Sequence, residues 1–179
     1  MRELLDLVAD LRSASRTHLA VRGVTMLGAL LFTLSLLLAG PGNPVLWAGL
    51  VMAGALVVLN PHTLMPVVFL LFAAGAWWAN VDELWHWTLL PAAVGLLLVH
   101  AGAALAASVP AQSPVPDSVL RRWGARVGVV SAVTVGVWAV AGALEVARSG
   151  GGGALPGIVG LAVLAASLVG YARWRSRTG

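Results

Sequence analysis

Long uninterrupted runs of apolar residues constrain this chain more than any other feature. Six such runs follow one another along the sequence, separated by short breaks. Crossing the hydrocarbon core of a bilayer, about 30 Å thick, takes roughly 20 apolar residues in a helix, and about 17–25 are tolerated. The runs cover residues 21–39, 45–59, 63–79, 88–107, 127–147 and 155–172. They predict an all-α fold in the form of a polytopic transmembrane bundle.

Composition supports the same class. The chain has 179 residues, of which 59% are hydrophobic and 10% are charged, whereas soluble domains carry roughly 25% charged residues. A soluble protein of this composition would expose large apolar patches, which a lipid environment removes. The absence of cysteine excludes disulfides and thiolate metal sites. The formal net charge of +4 comes from arginines clustered beside the apolar runs, so we expect a bilayer partner and no nucleic acid.

The breaks between the runs carry the residues expected of loops. Residues 40–44 combine two glycines and two prolines, which predicts a tight hairpin. Pro61 disfavours helical geometry in the residue before it and is expected to end the second span. The alternative is a single kinked helix over 45–79, which would be too long for one span. The longest break, 108–126, contains three prolines, and Asp117 or Ser118 is expected to cap a short helix before the fifth span.

The residues before the first run form a separate segment, 1–20. Leu4, Val8 and Leu11 recur at i, i+4 and i+7 among charged residues, which is typical of an amphipathic helix over 3–16. We expect this helix to lie on the cytoplasmic membrane surface, with a docking helix for a cytosolic partner as the alternative. At the other end, residues 173–179 form a basic tail.

Arginine placement predicts the orientation. With six spans, three groups of arginines fall on one side of the membrane, and all but Arg148 belong to them: residues 2, 12, 16 and 22, residues 121, 122 and 126, and residues 173, 175 and 177. Positively charged loops stay in the cytoplasm, so both termini are predicted to be cytoplasmic, in a bacterial inner membrane. Tryptophan, which prefers the membrane interface, falls near one face or the other at every position except Trp138, which is expected to be deep.

Small residues at i+4 spacing mark two smooth helix faces. One contains Gly124, Gly128, Ala132 and Gly136, and the other contains Ala162, Ala166 and Gly170. Transmembrane helices associate through such close packing. We interpret both faces as contacts within the molecule, and a homo-oligomer remains the alternative.

Asp82, Glu83 and His86 form a candidate site in the third break. Glu83 and His86 have the Glu-x-x-His spacing found in metal sites, and Asp82 would share a helical face with His86. A zincin motif would need His at the position of Asp82, and no third ligand is available nearby. We therefore predict a solvated acidic loop with no metal and no cofactor.

Two further ionisable residues lie within the runs. His100 falls in the middle of the fourth run, where such a group calls for a functional hypothesis. A proton relay would need partners that the other runs lack, so we favour a neutral side chain that hydrogen-bonds a neighbouring helix. Glu145 is expected to pair with Arg148 at i+3, or else to face the loop of Asp82.

A resemblance adds to this interpretation. Part of the chain resembles a group of small actinobacterial integral membrane proteins, at residues 60–62, 65–68, 77–78, 82, 97–101, 110 and 121–123. The resemblance implies a gene neighbourhood with MoxR-type AAA ATPases and their cytosolic partners, and it transfers no active site.

No catalytic motif is present: without lysine a Walker A loop is impossible, and neither Gly-x-Ser-x-Gly nor His-Glu-x-x-His occurs. Our leading hypothesis is a non-enzymatic membrane accessory or scaffold protein of a bacterial cell envelope. The alternative is a small transporter or channel subunit, and a membrane enzyme comes third.

Overall fold

The computed structural model describes residues 14–40, 42–82 and 85–148, together with positions 158, 161, 162, 165, 166, 169, 170, 172 and 173. Its elements are α1 (Arg16–Ala39), α2 (Pro44–Leu59), α3 (Met65–Asn80), α4 (Leu89–Ser108) and α5 (Asp117–Arg148). The isolated positions between 158 and 173 are also helical. Over these residues the predicted all-α fold is confirmed. Residues 3–13 of the proposed amphipathic helix and most of the sixth run lie outside the described residues. Residues 14 and 15, at the end of that proposed helix, are not helical, and α1 begins at Arg16, before the predicted start of the first span at residue 21.

Local sequence explains where the first two helices begin. Ser15 caps α1, its hydroxyl accepting a hydrogen bond of 3.2 Å from the amide of His18. Asn43 caps α2 in the same way, over 2.9 Å to the amide of Val45, and Pro44 occupies the first turn. Just before it, Gly42 has φ +55°, and a Cβ there would overlap the ring of Trp47. Glycine is therefore required in this tight turn.

Pro61 separates two helices. α2 ends at Leu59, and the Asn60 amide donates to the carbonyl oxygen of Leu56 over 2.8 Å. The Thr63 hydroxyl then donates to the Asn60 carbonyl over 2.8 Å, and α3 begins at Met65. The division predicted at this position is confirmed, and a single kinked helix is ruled out.

The fifth helix is longer than expected. A short helix was predicted ahead of a separate span from residue 127, but α5 runs without interruption for 32 residues. At 1.5 Å per residue this is about 48 Å. The three prolines of the preceding break all lie before Asp117, and the acidic side chain of Asp117 stands in the first turn, where it favours helix formation. Nothing in residues 118–126 breaks the hydrogen-bonding ladder, so the helix continues through the arginines.

Three of these helices, α1, α4 and α5, are long and apolar enough to cross a membrane. The shorter apolar helices α2 and α3 have 16 residues each, or about 24 Å, less than the hydrocarbon thickness of about 30 Å. The chain is therefore a helical membrane-associated protein by length and composition.

The polarity of α1 supports a lipid environment. Its buried face carries four of its seven polar side chains, with Thr25 only 1% exposed, whereas Leu27 on the opposite face is 62% exposed. In water this arrangement would be unfavourable, because buried polar groups and exposed large apolar groups both cost free energy. Lipid tails are as apolar as leucine, so a leucine face directed outward carries no such cost.

The core lies where α1 packs along α4, with α2 and α3 beside them. Contacts between α1 and α4 run antiparallel, since His18 meets Ala106 at one end and Gly28 meets Gly95 further along. Phe32 of α1 and Phe69 of α3 meet edge to face with ring centroids 6.3 Å apart, a favoured geometry for aromatic pairs. This α1–α4 pair positions the polar residues described next.

Candidate functional site

The α1–α4 seam is a contact between backbones. A Cβ added to Gly28 would lie 2.7 Å from the carbonyl oxygen of Gly95, and one added to Gly95 would lie 2.7 Å from the carbonyl oxygen of Gly28. Closer to the start of α1, the side chain of Thr25 lies directly against Gly102 of α4. Small residues allow transmembrane helices to approach this closely. The seam thus fixes the register of α1 against α4.

That register buries a polar stripe at the start of α1. His18, Arg22 and Thr25 are 0%, 3% and 1% exposed, and their i, i+4, i+7 spacing puts them on one face. His18 Nε2 lies 3.1 Å from the carbonyl oxygen of Ala106. Because a carbonyl oxygen only accepts, this contact assigns the proton to Nε2. The other ring nitrogen, Nδ1, is buried and has no hydrogen-bond partner among the described residues.

Hydrogen bonds join the start of α1 to the connection between α4 and α5, residues 109–116. The amide of Ser15 donates to the carbonyl of Ala111 over 2.9 Å, and its hydroxyl donates to the carbonyl of Ser113 over 3.0 Å. The amide of Val115 in turn donates to the Thr17 hydroxyl over 2.9 Å. These bonds connect residues far apart in sequence and hold the connection against α1.

The result is a basic end of the molecule, which we define as residues 14–17, the connection 109–116 and the first turns of α5. Arg16, Arg121 and Arg122 are exposed there, and Asp117 stands nearby. The arrangement gathers positive charge contributed by two separate arginine clusters of the sequence. Its chemistry suits an acidic ligand or a negatively charged surface.

A second cluster closes the opposite end. The rings of Trp85 and Trp138 stack with centroids 5.0 Å apart, and the Trp85 indole donates to the Trp138 carbonyl over 3.3 Å. The Trp138 indole donates back to the carbonyl of His86 over 3.4 Å. Trp138, expected to be deep in the bilayer, therefore lies level with the loop between α3 and α4.

The predicted loop residues do not converge on a site. The His86 Nδ1 lies 2.7 Å from the hydroxyl of Thr88 and accepts a hydrogen bond from the Thr88 amide over 3.2 Å, so His86 is bound within the turn that precedes α4. Asp82 is exposed, and Glu83 lies outside the described residues. Within the part of the chain that the structure describes, no group of three or more His, Cys, Asp or Glu residues could hold a metal ion.

The expected contacts of His100 and Glu145 do not occur among the described residues. His100 is exposed on α4 and lines a cleft against α5, and its ring makes no hydrogen bond with any described residue. Its expected bond to a neighbouring helix stays a prediction. Glu145 is exposed near the end of α5, and within the described ranges it makes no ion pair. The side chain of Arg148 lies outside those ranges.

Two buried residues were not singled out from the sequence. His18 fell in the segment assigned to the membrane surface, and Arg22 was counted only as an orientation signal. The signal that marks them is their spacing with Thr25, which places three polar residues on one face of an otherwise apolar helix.

Comparison with known proteins adds no family. No family model, no curated protein and no solved structure matches this chain.

Proposed function

We propose that this protein is a non-enzymatic membrane scaffold of a bacterial cell envelope whose basic end receives a cytoplasmic partner. The observation that carries the proposal is the set of hydrogen bonds between Ser15, Thr17 and the connection 109–116. They make one surface out of the start of α1 and the arginine-containing start of α5.

In this proposal the chain crosses the inner membrane six times with both termini in the cytoplasm. The support is the gathering of Arg16, Arg121 and Arg122 at one end of the molecule, because arginine-rich ends stay in the cytoplasm. The short helices α2 and α3 then form a hairpin pair of spans, which tolerate mismatch through local bilayer thinning.

The partner we propose has an acidic surface, since three of the four exposed charged side chains of the basic end are arginine, the fourth being Asp117. The resemblance of the sequence to actinobacterial membrane proteins makes a MoxR-type ATPase, or a protein that acts with it, the first candidate to test.

Site-specific photo-cross-linking in cells tests the docking surface. A photoreactive amino acid at Ser118, which is exposed at the basic end, is expected to give a discrete adduct with a cytoplasmic protein. The matched control is Asn43, exposed at the opposite end of the molecule. The adduct should weaken when Arg121 and Arg122 are replaced by Gln, because the attraction is electrostatic. Equal adducts from both positions would contradict the proposal. So would an adduct whose yield stays the same when Arg121 and Arg122 are replaced.

Reporter fusions test the orientation separately. A reporter active only in the periplasm should be silent when fused after Gly179 and active when inserted at Gly151. The opposite pattern would overturn the placement of the basic end in the cytoplasm.

A further inference from the structure

A cleft of about 290 Å³ lies between α4 and α5 and takes no part in the packing described above. Its walls are almost entirely apolar, with Leu97 and Ala104 on one side and Val127 and Val130 on the other. Two polar side chains interrupt this lining, His100 on α4 and Arg126 on α5. Both are exposed, so the cleft opens sideways, away from the molecule.

The register of the two helices places these polar groups at one level. Trp123 donates from its indole nitrogen to the carbonyl oxygen of Ala101 over 3.0 Å, which locks α5 against α4 beside His100. At 1.5 Å per residue, His100 lies about 12 Å from the end of α4, and Arg126 lies about 14 Å from the start of α5. Both of these helix ends flank the connection 109–116. Side chains on a helix lean toward its N-terminus, so Arg126 extends back toward the basic end, on the same face of α5 as Arg122.

Arg126 has no counter-charge among the described residues. Over the described ranges of the chain its guanidinium makes no ion pair and no hydrogen bond. A guanidinium at the side of a transmembrane helix is costly unless it meets a partner or reaches the interface. A phosphate group supplies such a partner, because its oxygens accept paired hydrogen bonds from the planar donor fork of arginine.

We propose that this cleft binds an anionic phospholipid, with the phosphate on Arg126 and the acyl chains along Leu97 and Val130. Arg122, one turn closer to the basic end, adds a second positive charge near the headgroup, and Trp123 provides the indole typical of the interface. The apolar walls beyond Arg126 suit hydrocarbon and would give a free inorganic anion nothing to bind. Assigning the lipid to the cytoplasmic leaflet rests on the orientation proposed above; the lipid site itself does not.

Native mass spectrometry of the full chain in mild detergent tests this site. Phosphatidylglycerol is the probe, phosphatidylcholine of the same acyl chains is the zwitterionic comparison, and inorganic phosphate is the free-anion arm. We expect a preference for phosphatidylglycerol that falls about tenfold in Arg126→Gln, since hydrogen bonds to charged groups are the strong ones. The matched control, Arg16→Gln, removes the same charge from an exposed position outside the cleft and should leave the preference unchanged.

A second variant tests the cleft without altering charge. Ala104→Trp fills the space between the helices from an exposed position and should also reduce phosphatidylglycerol binding. Thermal melting in detergent, unchanged in all three variants, shows that the fold is intact.

Equal loss in Arg16→Gln and Arg126→Gln would overturn the proposal, as would equal binding of the two lipids or competition by inorganic phosphate. A reversed reporter pattern together with a retained lipid preference would move the site to the other leaflet and refute only the orientation.

Discussion

The α1–α4 pair and the first half of the long helix α5 use glycine in opposite ways. In the α1–α4 seam, Gly28 and Gly95 bring the backbones into contact, and 44% of an 18-residue apolar stretch of α1 is buried inside the molecule. In α5, a Cβ added to Gly124 or Gly128 would meet no described residue within 4 Å, and 17% of the corresponding stretch is buried. The helix pair is therefore fixed by close packing along its length, whereas the described contacts of α5 lie mainly near its two ends.

This difference shows that small-residue spacing alone does not identify a packed face. The sequence pattern favoured Gly124, Gly128, Ala132 and Gly136 as a packing face. The described residues leave Gly124 and Gly128 open, and only Gly136 of the four is buried. The tight seam instead involves glycines that were not singled out. A face of small residues is used only when the partner helix presents a matching surface at the same level, and that match depends on the tertiary arrangement.

The sharpest test of the comparison is a pair of glycine-to-alanine variants. Gly95→Ala adds a Cβ 2.7 Å from the Gly28 carbonyl oxygen and 2.8 Å from the Phe32 amide nitrogen, so the backbones must separate. Overpacking of this kind costs about 1–3 kcal/mol. In Gly124→Ala the added Cβ contacts no described residue, and the helix propensity improves by up to about 1 kcal/mol. The melting temperature in detergent should fall for Gly95→Ala and should stay constant or rise for Gly124→Ala. Equal shifts would mean that the seam is looser than its geometry indicates.

The second test compares two histidines that lie on different surfaces. His18→Leu removes the bond to the Ala106 carbonyl and leaves that oxygen unsatisfied in a buried place. Hydrogen bonds between transmembrane helices are worth about 0.6–2 kcal/mol, so the melting temperature should drop. His100→Leu should leave it nearly unchanged, because the exposed ring of His100 bonds to no described residue. A larger loss at His100 than at His18 would reverse our assignment of which histidine is structural.

Much of the helical layout could be predicted because it follows from local chemistry. Pro61 divides α2 from α3 through its effect on the residue before it. Ser15 and Asn43 cap the starts of α1 and α2, and the Gly-Pro hairpin lies where α1 ends. The helix start near Asp117 was expected, but its unbroken continuation into the fifth span was not, since the predicted span began at residue 127, where the apolar run begins. Helical hydrogen bonds form equally well through the polar residues 117–126.

The candidate sites depended on contacts between distant parts of the chain, and that is where sequence reasoning failed. His100 was singled out as unusual, but its cleft with Arg126 depends on the Trp123 bond that sets the register of α5. The periodicity within α1 marks the polar face of His18, but it does not tell which part of the chain covers that face. The covering contacts come from α4 and the connection 109–116.

The smallest expected effect concerns the aromatic contact that holds α5 at its far end. The Trp138 ring stacks on Trp85, and its indole nitrogen donates to the carbonyl of His86 over 3.4 Å. An aromatic pair contributes about 0.5–1.5 kcal/mol beyond its buried area, so Trp138→Leu should lower the melting temperature modestly. Trp87, which is 56% exposed, is the control of the same residue type in the same region, and Trp87→Leu should have little effect.

A spin label at Val137, which is 56% exposed on α5, adds a readout specific to this helix. Its mobility should rise in Trp138→Leu and stay constant in Trp87→Leu, because the lost stack is one of the few contacts that fix α5. If the label is equally mobile in both variants while Trp123 is intact, then the bond from Trp123 to Ala101 holds the helix alone. In that case α5 would be fixed next to the cleft of His100 and Arg126 and would move freely at its other end.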